Sequence, residues 1–340
     1  MPPLIGLQGL KMRAFILESF GQPGIVKTDI PTVEPKPGEI LVQVHASGVN
    51  PADLKIAQGH LAPAAPTLPA ILGMDFAGII TALGEGVTQF SLGDAVYGCA
   101  GGVKGRPGTL AEYVAVDARL VAHKPTSLSM REAATLPLVS ITAWEGLVDR
   151  AKVKNGDKVL IHAGAGGVGH VAIQIAKAFG AEVFTTVSTP NKQDIARHLG
   201  ATPIAYRDMA VKDYVAHYTN GEGFDVVYDT VGGSVFEEAA SATRLYGKLI
   251  SCAAWQDHNL SSVLGSSLEL IGIFMLLPML TGKNLKRHGE ILQEIAQLVD
   301  AAKLHPILDS SCFGLDDVTA AYERLASGQA IGKIVIDIIR

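Results

Sequence analysis

Lys158-Val-Leu-Ile-His162-Ala-Gly164-Ala-Gly166-Gly167-Val-Gly169-His-Val-Ala-Ile-Gln-Ile-Ala-Lys177 is the stretch that decides the fold. Five residues suited to a buried strand, Lys158 to His162, run directly into Gly164-x-Gly166-x-x-Gly169. Val168, Val171, Ala172, Ile175 and Ala176 then recur at helical spacing. Without the flanking strand and helix the glycine spacing would say little, because the chain contains 37 glycines. In that context it is the fingerprint of a dinucleotide pyrophosphate site, the alternative being a close-packed turn with no ligand. Gly164 permits the tight turn, Gly166 lets backbone approach a pyrophosphate, and Gly169 lets helix and sheet pack closely. A helix opening near Gly167 would point free N–H groups and its positive end at phosphate. Gly164, Ala165, Gly166, Gly167, Val168 and Gly169 are therefore candidate cofactor-binding residues.

Downstream, strands and helices alternate. Glu182 to Val187 reads as a strand, Asn191 to Leu199 and Val211 to Tyr218 as helices, and Phe224 to Thr230 as a strand. Ser234 to Ala242 reads as a helix and Lys248 to Cys252 as a strand. This spacing implies an α/β domain with a doubly wound parallel sheet, a Rossmann domain, covered on both faces. Leu268 to Met275 reads as a final strand, either interior or an edge that pairs across a two-fold homodimer axis. A helix from about Arg287 to Lys303, a helix at Asp316 to Ala326 and a strand at Lys333 to Ile338 break the alternation and are expected to return to the first domain.

Upstream the signals are those of β structure. Arg13 to Leu17, Glu39 to Ala46, Gly78 to Gly84, Asp94 to Tyr97 and Ala111 to Val116 are short runs rich in Val, Ile and Phe, separated by Pro and Gly clusters. They suggest a compact, partly open barrel, with His60 to Pro69 as a loop or lid. Arg131 to Thr135 and Thr142 to Asp149 read as helices. The expected division is a loose leader over 1–11, a first domain of 12–130 and 273–340, and a nucleotide-binding domain of 131–272.

Composition narrows the function classes. With 48% hydrophobic and 18% charged residues, 340 residues suffice for two ordinary globular domains. A formal net charge of -5 and no basic run argue against a nucleic-acid partner. No uninterrupted apolar stretch approaches the ~18 residues of a membrane span. Cys99, Cys252 and Cys312 form neither a disulfide framework nor a zinc-type pair and fit reduced thiols of a cytoplasmic protein.

NAD-selective folds carry Asp or Glu at the end of the second strand, where it bonds the ribose hydroxyls. Here that strand ends Thr186-Val187-Ser188-Thr189, with Lys192 just beyond. A 2′-phosphate would meet no repulsion, a hydroxyl from Ser188 and a cation from Lys192, so NADP(H) is the expected cofactor.

Four further stretches carry a resemblance: Gly48-Val-Asn50-Pro51-Ala-Asp53, Gly73-Met-Asp75-Phe-Ala-Gly78, Gly93-Asp94-Ala-Val96-Tyr97 and Thr109-Leu-Ala111-Glu112-Tyr113. With Ala163 to Gly169 and the return strand Gly332-Lys-Ile-Val335, they resemble the medium-chain dehydrogenase/reductase superfamily from Met12 to Ile338. The branch they look like is the zinc-independent quinone oxidoreductases, the zeta-crystallin-like reductases. The resemblance implies a GroES-like partly open β-barrel as the catalytic domain. Zinc alcohol dehydrogenases of this superfamily bind metal through a cysteine in the first stretch and a His-Glu pair in the second. Here Asn50 and Met74-Asp75 stand in their place, and neither an amide nor a thioether suits zinc. No metal is expected. Short-chain dehydrogenases are excluded because none of the eight tyrosines has a lysine four residues later.

Without a Lewis acid, reduction of electron-poor acceptors is favoured over alcohol oxidation. The resemblance implies hydride transfer from NADPH to quinones, or alternatively to the double bond of α,β-unsaturated ketones and aldehydes. Asn50, at the nicotinamide end by resemblance, is a candidate donor to the acceptor carbonyl. Lys55 stands where many quinone reductases have tyrosine and looks closer to the enone-reducing branch. It is either a group that binds the carbonyl and protonates the enolate or an exposed lysine on a short helix. Thr142 matches a helix start near the nicotinamide and either bonds the cofactor or caps the helix. Tyr206 resembles a tyrosine beside the adenosine 2′-phosphate; otherwise it is half-buried packing. His162 and His170 read as packing, and Asp75 and Asp94 as turn-fixing carboxylates. A nucleotide-binding structural or sensory protein without turnover is the non-catalytic alternative.

Overall fold

The short apolar runs before Lys124 form eight strands in the computed structural model, which describes residues 11–339. They are β1 (Lys11–Leu17), β2 (Ile25–Pro31), β3 (Glu39–Gly48), β4 (Ala70–Ile71), β5 (Asp75–Leu83), β6 (Ala95–Cys99), β7 (Tyr113–Asp117) and β8 (Val121–His123). Of the expected leader, residues 1–10 lie outside the described residues, and Lys11 already belongs to β1. Helix α1 (Pro51–Ala57) follows β3, opened by the fixed φ of Pro51. Next come α2 (Met130–Ala134), begun by the Ser129 cap, and α3 (Pro137–Trp144), which continues as a π-helical turn over Glu145–Arg150. Thr142 is therefore inside a helix that Pro137 starts, so it does not cap one.

The chain divides into two compact units. One contains the described residues through Leu138 together with Leu276–Ala302 and the residues from Pro306 on, and the other is Val139–Met275 with Lys303–His305. The second holds β9 (Lys158–Ile161), α4 (Gly167–Ala178), β10 (Glu182–Val187), α5 (Pro190–His198) and β11 (Thr202–Ala205). It continues with β12 (Phe224–Asp229), β13 (Thr243–Ser251) and β14 (Glu269–Gly272). These six strands form one parallel sheet in the order β11-β10-β9-β12-β13-β14. Val159, Leu160 and Ile161 are fully buried, as near-continuous apolar strands covered on both faces must be. Leu160, Phe184, Ile204, Phe224, Val227 and Leu249 pack in one core cluster. The final strand is shorter than the Leu268 to Met275 run suggested. Pro278 lies in a short helix, Leu277–Thr281, which Gly282 ends at φ 71°.

In the first unit, β15 (Phe313–Gly314) and β16 (Val335–Asp337) complete a seven-stranded sheet of order β15-β16-β3-β5-β6-β8, with β7 also paired to β3. A second, three-stranded sheet has the order β2-β1-β4. The pairing of β16 with β3 fixes the chemistry of this unit. It is antiparallel with Val335 opposite Gly48, and the Val49 N–H donates to Ile334 O at 3.0 Å. Two residues before Val335, Lys333 is thereby brought alongside Asn50.

Candidate cofactor and acceptor-side sites

The nucleotide site of the second unit starts from its glycines. A Cβ on Gly164 would lie 2.2 Å from Thr185 Oγ1, and one on Gly169 would lie 2.2 Å from Ala163 O. Both positions are glycine because the protein itself leaves no room. Gly166 differs: an added Cβ would be 3.1 Å from Ala163 O and 3.9 Å from Ala163 Cβ, with no other atom close. The space over Gly166 is free of protein, which is the cradle a pyrophosphate requires. Gly166 is also the N-cap of α4, with no side chain bonded to the helix end. The first N–H groups of that 12-residue helix, among them those of Gly167, Val168 and Gly169, have no intrahelical acceptor and suit an anion. The turn is held onto β10 by the Ala163 N–H donating to Thr186 Oγ1 at 3.1 Å and the Gly164 N–H to Thr186 O at 3.3 Å. Ala165 is buried within this turn. These residues fit a dinucleotide.

Ser188 follows the last residue of β10, and Tyr206 follows the last residue of β11. Parallel register pairs Val187 with Ala205, so Ser188 and Tyr206 emerge side by side at the carboxyl ends of their strands. Lys192 lies in the first turn of α5, its N–H donating to the cap hydroxyl of Thr189 at 3.4 Å. Sequence reasoning passed over Arg207, whose guanidinium lies 6.0 Å from the centre of the Tyr206 ring. Its adjacency to Tyr206 was the available signal. No carboxylate occupies the end of β10: Glu182 opens that strand, and Asp194 bonds Arg197 at 2.7 Å.

His162 ends the run from β9 and is 1% exposed. Burial pushes its imidazole down to about 4, so it is neutral at physiological pH. His170 Nδ1 lies 2.9 Å from Gly166 O. Asp229, unremarked in the sequence, accepts from the N–H groups of Val231 and Gly232 and from the Ser251 hydroxyl. It ties together the loops that follow β12 and β13. Thr142 presents its carbonyl to the Tyr228 hydroxyl at 2.8 Å, within the same unit.

The first unit contains a buried polar cluster. Asn50, Asp53, Asp75 and Lys333 are 0%, 2%, 0% and 3% exposed. Asn50 Nδ2 donates to Asp75 Oδ2 at 2.8 Å, while Asn50 Oδ1 accepts a short hydrogen bond from Lys333 Nζ. An ammonium only donates and a carboxylate only accepts, so this orientation of the amide is fixed by its neighbours. Lys333 Nζ also donates to Val49 O at 2.8 Å and lies 3.5 Å from Asp75 Oδ2. Asp75 Oδ1 accepts from the Leu138 N–H at 2.8 Å, and the Thr109 hydroxyl donates to Asp75 O at 3.0 Å. Asp53 Oδ2 accepts from the Asn50 N–H at 2.8 Å across the first turn of α1. Burial raises the Asp53 carboxyl to about 7 and also raises Asp75, against the pull of the Lys333 charge. Burial lowers the Lys333 ammonium.

Two residues after Asp53, Lys55 projects from α1 into solvent. The Asn50 amide, expected to donate to an acceptor, has no exposed surface and is engaged with Asp75 and Lys333. Lys333 lies within the Gly332-Lys-Ile-Val335 stretch that carries the resemblance, but nothing in the sequence places it beside Asn50. Met74 is fully buried beside the cluster, and Asp94 fixes a turn by accepting from the Ser91 N–H at 2.8 Å.

Residues 36–126 match the family described as the alcohol dehydrogenase GroES-like domain, and residues 167–313 match that described as zinc-binding dehydrogenase. The structure of an alcohol dehydrogenase superfamily protein from Novosphingobium aromaticivorans is 45% identical and superposes with a TM-score of 0.93, covering 96% of this chain and 100% of that one. The quinone oxidoreductase from Coxiella burnetii is 31% identical, with a TM-score of 0.81 over 97% of this chain and 100% of its own. The 2-methylene-furan-3-one reductase of Solanum lycopersicum is 32% identical over 96% of this chain and 79% of its own. Mycobacterial relatives 34% identical over 90% of this chain are far longer, and the chain spans 14% of their length.

Proposed function

We propose that this chain, which belongs to the medium-chain dehydrogenase/reductase superfamily, is an NADPH-dependent, metal-free reductase that delivers hydride to quinones. The observation that carries this reading is the contact of Lys333 with Asn50 and Asp75. Asn50 and Asp75 stand where zinc-dependent relatives would supply metal ligands. A buried ammonium bonded to one and 3.5 Å from the other opposes a divalent cation by charge. Besides Asp75, the positions of those ligands hold the amide of Asn50 and the thioether of Met74, which are poor zinc ligands. Without a Lewis acid, an acceptor whose own conjugation stabilises the added electrons is the fitting partner.

The cofactor would rest its pyrophosphate on Gly166, Gly167, Val168 and Gly169, with Gly164 and Ala165 shaping the turn. Bound NADPH would supply hydride and nothing else. Ser188, Lys192 and Tyr206, joined by Arg207, offer a hydroxyl, two cations and an aromatic face to a 2′-phosphate. Thr142, no longer a candidate cap, is assigned to the cofactor's nicotinamide half. On the acceptor side, Lys55 is the exposed cation and is assigned direct contact with the acceptor oxygen, stabilising its growing charge and returning a proton. Asn50 acts as a positioning residue that fixes the start of the helix bearing Lys55.

A second reading, reduction of the carbon–carbon double bond of enones or alkenals, is favoured by Lys55 itself and by the similarity to the tomato reductase. A quinone and an enone present the same conjugated carbonyl, so both readings use the same groups. The protein is further proposed to be a cytoplasmic homodimer. The edge position of β14 and the 45% exposure of Leu270 support pairing with a second copy. No nucleic-acid or membrane partner is proposed; no helix among the described residues is long and apolar enough to cross a membrane.

Elemental analysis combined with turnover tests the reading. Purified protein should contain well under one zinc per chain and keep its quinone reductase activity after treatment with a chelator. Stoichiometric zinc whose removal abolishes activity would overturn it.

A further inference from the structure

The buried cluster of the first unit holds two carboxyl groups, Asp53 and Asp75, but one ammonium, Lys333. Were all three charged, an uncompensated negative charge would sit out of contact with water, a costly arrangement. The hydrogen bonds indicate where the extra proton resides. Both Asp75 oxygens face donors: Oδ1 the Leu138 N–H, and Oδ2 the Asn50 amide with Lys333 Nζ 3.5 Å away. That is the environment of a carboxylate. Asp53 Oδ2 accepts from the Asn50 N–H, and the Asn50 side chain adds a smaller pull toward the ionised form, but the buried Asp53 Oδ1 has no hydrogen-bond partner among the described residues.

We propose that Asp53 and Lys333 are positioning residues: Asp53 carries a proton on the acid side of neutrality, leaving the Lys333 ammonium balanced against Asp75 alone, and this balance fixes α1 and the Lys55 it bears. The titratable groups around Asp53 are Asp75 on β5, Lys333 just before β16, Cys99 on β6 and Tyr322 on the helix Val318–Ala326. The Tyr322 hydroxyl is buried without a hydrogen-bond partner among the described residues, and its titration is pushed up first by burial and then by the Asp53 charge. Cys99 is likewise raised, first by burial and then by Asp75. Neither offers Asp53 a positive charge, so Lys333 is the one cation among these groups and Asp75 already faces it. Asp53 touches the backbone N–H of Asn50, whose side chain touches both members of the pair. Ionisation of Asp53 would add a second negative charge at the start of α1, two residues from Lys55. Movement of that first turn toward water is the available relief.

The part concerning Lys55 rests on the reductase reading; the position of the proton does not, and the experiment separates them. Thermal midpoints of wild type and Asp53→Asn are measured from about pH 5 to 8.5. Asparagine mimics the protonated acid, and its amide oxygen still accepts the Asn50 N–H. With the folded carboxyl raised to about 7 from an ordinary value near 3.8, the native state holds an extra proton between those values. The Asp53 contribution to wild-type stability therefore falls as pH rises through that window and is level above it, and comparison with the variant isolates it from that of other groups such as His162. The midpoint of Asp53→Asn should gain on wild type across this range, by on the order of 5 °C in total, then hold steady. A constant difference across the range overturns the proton assignment. Should the variant fail to fold, carboxyl carbon-13 titration of wild type decides alone: one Asp titrating near 7 is expected, and none above about pH 5.5 overturns it. In turnover, wild-type kcat should fall several-fold on the alkaline side with KM for NADPH unchanged, and the fall should be absent in Asp53→Asn. A stability result as expected with no such limb removes the link to Lys55 alone. No turnover with any acceptor removes the reductase reading and leaves the proton assignment standing.

Discussion

Lys333 Nζ lies 3.5 Å from the Asp75 carboxylate and bonds the Asn50 side chain held between them, although 283 residues separate Lys333 from Asn50. The contact joins the return strand to the start of α1 inside the first unit. Replacing Lys333 by Met leaves Asp75 buried without its cation, which should destabilise the protein by about 3–5 kcal/mol. Adding Asp75→Asn to Lys333→Met removes both charges and should restore most of that loss. Denaturant unfolding of the two single variants and the double variant measures the coupling; simple additivity would contradict it.

The glycines of the nucleotide turn should separate into two kinds. Gly164→Ala drives a Cβ to 2.2 Å from Thr185 Oγ1 and should lower thermal stability by several degrees. Gly166→Ala meets nothing closer than 3.1 Å and should fold with near-native stability, yet bind NADPH at least 10-fold more weakly. Thermal melts and NADPH fluorescence titrations distinguish the two outcomes.

Cofactor choice should reside at the ends of β10 and β11. Ser188→Asp places a carboxylate beside Lys192, Tyr206 and Arg207 and should shift the NADPH-over-NADH ratio of kcat/KM by about 10-fold or more toward NADH. Arg207→Ala should weaken NADPH by about 3–10-fold while sparing NADH. Equal losses for both cofactors would mean that these residues do not read the 2′-phosphate.

On the acceptor side, Lys55→Ala should lower kcat by about 10²-fold with NADPH affinity retained. Asn50→Ala should also slow turnover, but with a fall in thermal midpoint, because it unties Lys333 from Asp75. An Asn50 variant of full stability and low kcat would instead favour direct contact between this amide and the acceptor.

The Rossmann unit was legible because its signals are local: a strand, three spaced glycines and a helix lie within Lys158 to Lys177. Short edge strands were not. Thr202–Ala205 contains a proline and Ile25–Pro31 is largely exposed, so neither shows the apolar run of a buried strand. Thr142 reads as a helix start in the sequence because Pro137, which begins that helix, lies five residues earlier among apolar neighbours. Asn50 and Asp75 were visible as residues that differ from zinc ligands. Their shared partner was not, since Lys333 looks like any strand-end lysine until antiparallel pairing of Val335 with Gly48 brings it to Asn50. Long-range register of this kind leaves no trace in local periodicity.

The most direct measurement is NADPH consumption by purified protein with 9,10-phenanthrenequinone, 1,4-benzoquinone, an alkenal and a cyclic enone, run beside NADH and beside ethanol with NADP. The account predicts turnover with at least one conjugated carbonyl acceptor, faster with NADPH than with NADH, and no ethanol oxidation. Ethanol oxidation without reduction of any of the four acceptors would contradict it.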